Sequence, residues 1–221
     1  VAPGRMIGWE EIPQGTVEGL VARLEQAEVE IACLADELLR VTWTPGSLPI
    51  PWGVARSDWT TATAAATTAS KTTIEAVEGG VELRTGAMHV RLGDDASITV
   101  RDASDHLIRS ERAPSRAGEA WTSTAELRPE EHCYGLGERT VGFNLRGNGN
   151  PDNSAVFLNW NREAMGSYVP GQDPLYICLP VYMGLHDEGG YAVFYENTWR
   201  SRFSFEDELA TATFDGGALR W

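Results

Sequence analysis

Apolar residues alternate with polar ones through most of this chain, in short runs broken by glycine and aspartate. Thr72–Val77, Val81–Arg84 and Met88–Leu92 are separated by Gly79-Gly80 and by Gly86. Ser97–Arg101 follows Gly93-Asp94-Asp95, and Leu107–Ser110 follows Asp102–Asp105. Alternating segments of this length, with turn residues between them, predict the strands of an all-β sandwich or barrel. Leu175–Leu179, Tyr191–Tyr195, Arg202–Phe205 and Ala210–Phe214 read the same way. The glycines and asparagines of Gly147–Asn153 mark a loop, and Gly216-Gly217 a turn before a last alternating segment.

Two regions fit this pattern poorly. Leu20, Leu24, Ala27, Ile31, Leu34 and Leu38 recur at intervals of four and three, as on one face of an amphipathic helix. The same stretch also holds two alternating sets, Val29, Ile31, Cys33 and Leu39, Val41, Trp43, as strands would. Thr60–Thr73 has no period: its alanines suit a helix, its threonines a strand, and a loop fits equally.

Composition narrows the function classes. The chain has 221 residues and a net charge of −14. Lys71 is its sole lysine, which argues against nucleic acid or an anionic membrane as partner. Cys33, Cys133 and Cys178 are too few and too scattered for a disulfide framework or a zinc site; Cys33 and Cys178, in apolar runs, read as core residues. No apolar run is long enough to cross a bilayer as a helix. A reducing cytoplasm is the expected compartment, a processed exported protein the alternative. A single domain, 1–221, fits the length.

Few residues suggest chemistry on their own. Asp94-Asp95 and Asp187-Glu188 read as turn tips and Glu206-Asp207-Glu208 as a polar strand end or loop. The histidines His89, His106, His132 and His186 are dispersed, without the context of an epimerase His/Glu pair. Tyr134-Gly135-Leu136-Gly137-Glu138 lacks the continuation of a dinucleotide loop and reads as a structural turn using positive φ or close backbone approach. No cofactor, metal ligand or catalytic residue is therefore predicted. The 160–171 stretch is different. Sugar sites pair an aromatic face with planar hydrogen-bonding groups. Here Trp160 and Tyr168 supply the first, and Asn161, Arg162 and Glu163 the second.

Five fragments, taken in order, carry a resemblance. They are Tyr134–Glu138, Asn144-Leu145-Arg146-Gly147, Asn159-Trp160-Asn161, Asp173-Pro174-Leu175-Tyr176 with Leu179-Pro180, and Asn197-Thr198-Trp199-Arg200-Ser201-Arg202-Phe203. Their order and spacing resemble the N-terminal β-sandwich of glycoside hydrolase family 31, the retaining α-glucosidases and their relatives. The resemblance is specific from Cys133 onward and looser back to about Glu28. It implies an all-β, large antiparallel β-sandwich of galactose-mutarotase-like kind, and so strands rather than a helix across Val29–Cys33 and Leu39–Trp43. It implies an accessory domain whose acid and nucleophile lie on a following TIM barrel that this chain does not contain, with that barrel and an α-glucoside or oligosaccharide as partners. Within the family an aspartate on the loop Trp-Asn-x-Asp bonds sugar hydroxyls; Glu163 stands at that position, one methylene longer. The face toward the barrel should carry this loop and an exposed apolar patch. A free-standing carbohydrate-binding module and a purely structural interaction domain are the alternatives.

Overall fold

The computed structural model describes residues 1–12, 17–48, 72–147, 156–163, 165–166, 169–170 and 172–221. Thr60–Lys71 and Tyr168 lie outside them, as does most of the Gly147–Asn153 loop.

The stretch with four-three spacing folds as strands. β1 (Met6–Glu11), β2 (Glu18–Leu24), β3 (Glu28–Ala35) and β4 (Leu38–Thr44) form an antiparallel meander. Leu20 pairs with Ile31 and Ala22 with Val29. Their side chains join Leu24, Cys33, Val41 and Trp43 in the main core. The turn at Glu25-Gln26, closed by Leu24 N–H donating to Ala27 C=O at 2.8 Å, cuts the apparent helix in two. Leu34 then packs on the other face of β3 with Val17 and Ala32, and Leu38 is exposed. A six-residue apolar series with helical spacing thus serves three different surfaces.

Next come β5 (Thr73–Val77), β6 (Gly80–Arg84), β7 (Met88–Gly93), β8 (Ile98–Asp102) and β9 (Leu107–Glu111), each paired with the next, as the turn residues predict. β10 (Ser115–Ala117) and β11 (Ala120–Glu126) follow, then β12 (His132–Gly137), β13 (Val156–Asn159), β14 (Cys178–His186) and β15 (Gly189–Phe194). β16 (Ser201–Glu206), β17 (Leu209–Phe214) and β18 (Leu219–Arg220) complete the series. The large sheet runs β13-β16-β17-β11-β9-β8-β7-β6-β5, with β10 on β11. The smaller ones are β1-β2-β3-β4-β18 and β12-β14-β15. All pairings are antiparallel, no described residue is helical, and all three sheets contribute to one core.

Three expectations are corrected. Tyr134–Gly137 lies within a bulged strand rather than a turn, although both uses of glycine are present: Gly135, Leu136 and Gly137 have φ of 128°, 64° and 86°. A Cβ on Gly135 or Gly137 would collide with the carbonyl of Val181 or Ile177. Leu175–Ile177 is loop, because Leu175 spends its carbonyl on Arg162 N–H and the strand begins only at Cys178. Cys178 is half-buried, not a core residue.

The two core thiols supply a direct check. Burial pushes Cys33 up to about 11 and Cys133 up to about 12. At pH 8 their thiolate fractions are then about a thousandth and about a ten-thousandth. Iodoacetamide should modify Cys178 first, and the other two only after unfolding. Equal native labelling of all three, read by mass spectrometry, would contradict this placement.

Between the sheets lies a buried polar cluster. Arg109 Nε and Nη2 donate to Glu111 Oε1 at 2.8 and 2.5 Å, and Nη1 to Tyr182 Oη at 2.6 Å. Ser123 Oγ donates to Glu111 Oε2 at 2.9 Å, and Tyr195 Oη lies 3.3 Å from the same hydroxyl. The guanidinium sits among the rings of Tyr191, Tyr182 and Trp221, at 4.9, 5.5 and 5.8 Å. β9 and β11 are thereby joined to β14, and to Tyr195 just after β15, by directional bonds as well as by apolar contact.

Candidate functional site

The loop between β13 and β14 is held at its base by a buried ion pair. Arg139, just after β12, donates to the Asp173 carboxylate, to Asn159 Oδ1 and to the Leu158 carbonyl at 3.3 Å. Asp173 Oδ2 accepts Leu158 N–H at 2.9 Å. Both side chains are almost wholly buried, 3% and 0% exposed. Burial lowers the Arg139 guanidinium to about 10, which leaves it charged at neutral pH beside its carboxylate. Further bonds close the loop: Asn161 Oδ1 accepts Cys178 N–H at 2.8 Å, and Arg162 N–H donates to Leu175 C=O at 2.9 Å. Thr140 Oγ1 donates to Gln172 C=O at 3.0 Å.

On this frame the predicted sugar residues separate. Trp160 and Asn161 line an open groove of about 350 Å³, together with Asn159 and Cys178. Arg162 and Glu163 are exposed and do not line it. Glu163 Oε1 accepts Met165 N–H at 2.9 Å, so its carboxylate turns back on its own loop. Tyr168 is among the residues not described.

The wall of the groove also includes Thr198 and Trp199, neither of which the motif reading singled out as a sugar contact. Asn197 fixes this wall: its Nδ2 donates to Gly216 C=O at 2.9 Å and Ala218 C=O at 3.1 Å, and its Oδ1 accepts Trp199 N–H at 2.8 Å. The Trp199 ring lies on the Gly216-Gly217 turn. A Cβ on Gly216 would come within 2.9 Å of its Cδ2, and Gly217 adopts φ of 81°. The pairing of an aromatic with a Gly-Gly turn some seventeen residues on was the signal in the sequence.

Beside the groove runs the apolar face of the β12-β14-β15 sheet. Leu179, Met183 and Leu185 alternate outward along β14 and are exposed. Tyr134 pairs with Met183, and its ring stacks on the exposed Phe143 at 4.8 Å between centroids. Exposed Ile177 and Leu179 flank Cys178, so groove and apolar face are continuous.

The acids marked as turn residues stay in turns: Asp95 accepts from Ser97, whose hydroxyl and N–H hold its carboxyl below the usual range. The buried carboxylates Glu111, Glu131, Asp173 and Glu196 are each paired with an arginine. Among the described residues no His/Cys/Asp/Glu group has the arrangement of a metal site.

Comparison with known proteins fits this geometry. Over 91 residues the chain is 29% identical to Alpha-glucosidase 2 of Bacillus thermoamyloliquefaciens, covering 40% of this chain and 11% of that protein. A family 31 dextranase of Flavobacterium johnsoniae, solved with isomaltotriose, superposes with a TM-score of 0.77 at 17% identity, covering 100% of this chain and 26% of the dextranase. A family 31 α-xylosidase from a soil metagenome, solved with xylose, gives a TM-score of 0.70 at 15% identity, over 96% of this chain and 31% of the xylosidase. These structural likenesses establish the fold, and the chain spans only about a third or less of each of these proteins. Residues 28–204 match the family described as the glycosyl hydrolase 31 N-terminal galactose mutarotase-like domain, and with its helix-free antiparallel sheets the chain belongs to that family.

Proposed function

We propose that this domain serves a retaining α-glycosidase, most specifically an α-glucosidase, by packing against its catalytic barrel and lending the 160–171 loop to the sugar site. The observation that carries this reading is the conjunction of an unpartnered apolar sheet face with a loop anchored beside it by the buried Arg139–Asp173 pair. A long loop held rigidly at its base is suited to placing contacts for a partner surface. A free-standing carbohydrate-binding module, which would need an aromatic platform on an open sheet face, is the second reading, favoured by the exposed Phe143 beside Tyr134 next to the aliphatic outward residues of β14. With its cysteines unpaired, a reducing cytoplasm is the compartment we propose.

Retaining hydrolysis needs two carboxyl groups about 5–5.5 Å apart. On this reading they come from the barrel, and the 221-residue chain is expected to show no turnover of a nitrophenyl α-glucoside above buffer. Turnover lost on substituting one of the chain's own acids would overturn that. In the complete enzyme, Met183→Asp should impair assembly by charging the docking face. Glu163→Ala should weaken sugar binding by about 1.5–3 kcal/mol, the worth of a charge-assisted hydrogen bond. Glu163→Asp should retain much of the affinity, since it restores the shorter acid of the family pattern. Unchanged kinetic constants for Glu163→Ala would assign the loop to packing alone.

A further inference from the structure

We propose that the groove between Trp160 and Trp199 is a pyranose subsite, with Trp199 as its fixed aromatic platform. Its volume of about 350 Å³ lies at the small end of ligand sites, which run roughly 300–1,000 Å³. Trp199 is built for contact. One side of its ring rests on the Cβ-free Gly216-Gly217 turn, its backbone is held by Asn197, and 47% of its surface is still open. A ring held in this way has already lost its rotamer freedom, so binding costs less entropy. Trp160 faces the same groove and is 56% exposed, on a loop base fixed by Arg139 and Asp173.

The polar groups match a polyhydroxylated ring. Asn161 commits its Oδ1 to Cys178 N–H, which leaves its amide nitrogen as a donor on an exposed side chain. Thr198 adds a hydroxyl with no partner among the described residues. Asn159, only 7% exposed, gives its Oδ1 to Arg139, and its Nδ2 is buried without a partner in the groove wall. Among the described residues none lining the groove is charged, which selects a neutral sugar over a phosphate or carboxylate. The groove lies at the rim of the proposed docking face, and ligand sites favour such domain boundaries. The choice of a glycosyl ligand rests on the family 31 reading above.

The test is a titration of the ¹⁵N-labelled 221-residue chain with isomaltotriose and with maltotriose, read at the tryptophan indole N–H signals. Saturable shifts are expected at Trp160 and Trp199 with a low-millimolar dissociation constant, and none at Trp9. Trp199→Ala should weaken binding about tenfold or more. Gly216→Ala, which pushes the ring off its seat, should do the same with an unchanged circular dichroism spectrum. Absence of saturable shifts, or undiminished binding by Trp199→Ala, overturns the subsite. If the chain binds neither sugar and Trp199→Ala instead loosens assembly of the complete enzyme, the groove receives protein, and the accessory role stands without the subsite. If Met183→Asp leaves assembly intact, it is the docking reading that fails, whatever the groove binds.

Discussion

Arg109→Ala is expected to cost about 3–5 kcal/mol of folding stability, the usual result of removing one partner from a buried ion pair. For a chain of this size that lowers the melting temperature by roughly 10 °C. Arg109 and Glu111 are both buried to within a few per cent. Burial alone would lower the guanidinium, but Glu111 and the neighbouring phenols of Tyr182, Tyr191 and Tyr195 together more than offset it and hold Arg109 well above the usual arginine range. Truncation strands the Glu111 carboxylate with only the Ser123 hydroxyl at 2.9 Å, and Tyr182 loses the donor to its phenol oxygen. Arg109→Lys should fall between wild type and alanine, since an ammonium keeps the charge but not the fork that reaches Glu111 and Tyr182 together. The double change Arg109→Met, Glu111→Leu should recover most of the loss, because an apolar pair of similar volume removes both desolvation costs. Urea denaturation of the four proteins measures all of this. A deficit under about 1 kcal/mol for Arg109→Ala would mean that water reaches the cluster, as it does at surface pairs.

The cluster also shows where the sequence stops being legible. Arg109 and Glu111 stand two apart in an alternating strand, a pattern equally suited to a surface pair; only the arrival of Tyr182, 73 residues on, turns that face inward. By contrast the β5–β9 hairpins could be read directly, because each depends on a local turn such as Gly93–Ser97 or Asp102–His106 that closes its own bonds. The helical spacing from Leu20 to Leu38 failed as a guide because period alone does not say whether successive leucines share one surface, and here they do not. At the site, the chemistry of the 160–163 residues was readable but their directions were not. Trp160 and Asn161 reach the groove, whereas Glu163 folds back on Met165. In the Trp199–Phe203 run Arg202 binds Asp215 at 2.9 Å, whereas Trp199 precedes the strand and lies on the Gly216 turn. Motif order had identified the family, yet it carried no information about which side chain of a motif faces which wall.

Asp173→Ala is the second large effect, and it separates the loop's anchor from its contacts. The substitution leaves the Arg139 guanidinium buried without its carboxylate and takes from Leu158 N–H, at the start of the loop, its acceptor at 2.9 Å. The expected loss is again about 3–5 kcal/mol. It should be accompanied by faster amide exchange at Leu158 and by new proteolytic cuts between residues 160 and 177, because the lost bonds hold the loop base rather than its tip. Asp173→Asn keeps the shape and an acceptor without the charge, so it should lie between. Glu163→Ala provides the contrast. Its side chain is exposed and among the described residues bonds only Met165 N–H, so stability should change by no more than about 0.5 kcal/mol while sugar binding in the complete enzyme falls. An anchor and a ligand contact on one loop thus move different observables: Asp173 both stability and affinity, Glu163 affinity alone. Should Asp173→Ala prove as stable and as protease-resistant as the parent, the loop would be held by its backbone bonds, chiefly Arg162 N–H to Leu175 C=O, and the buried pair would be a bystander to its geometry.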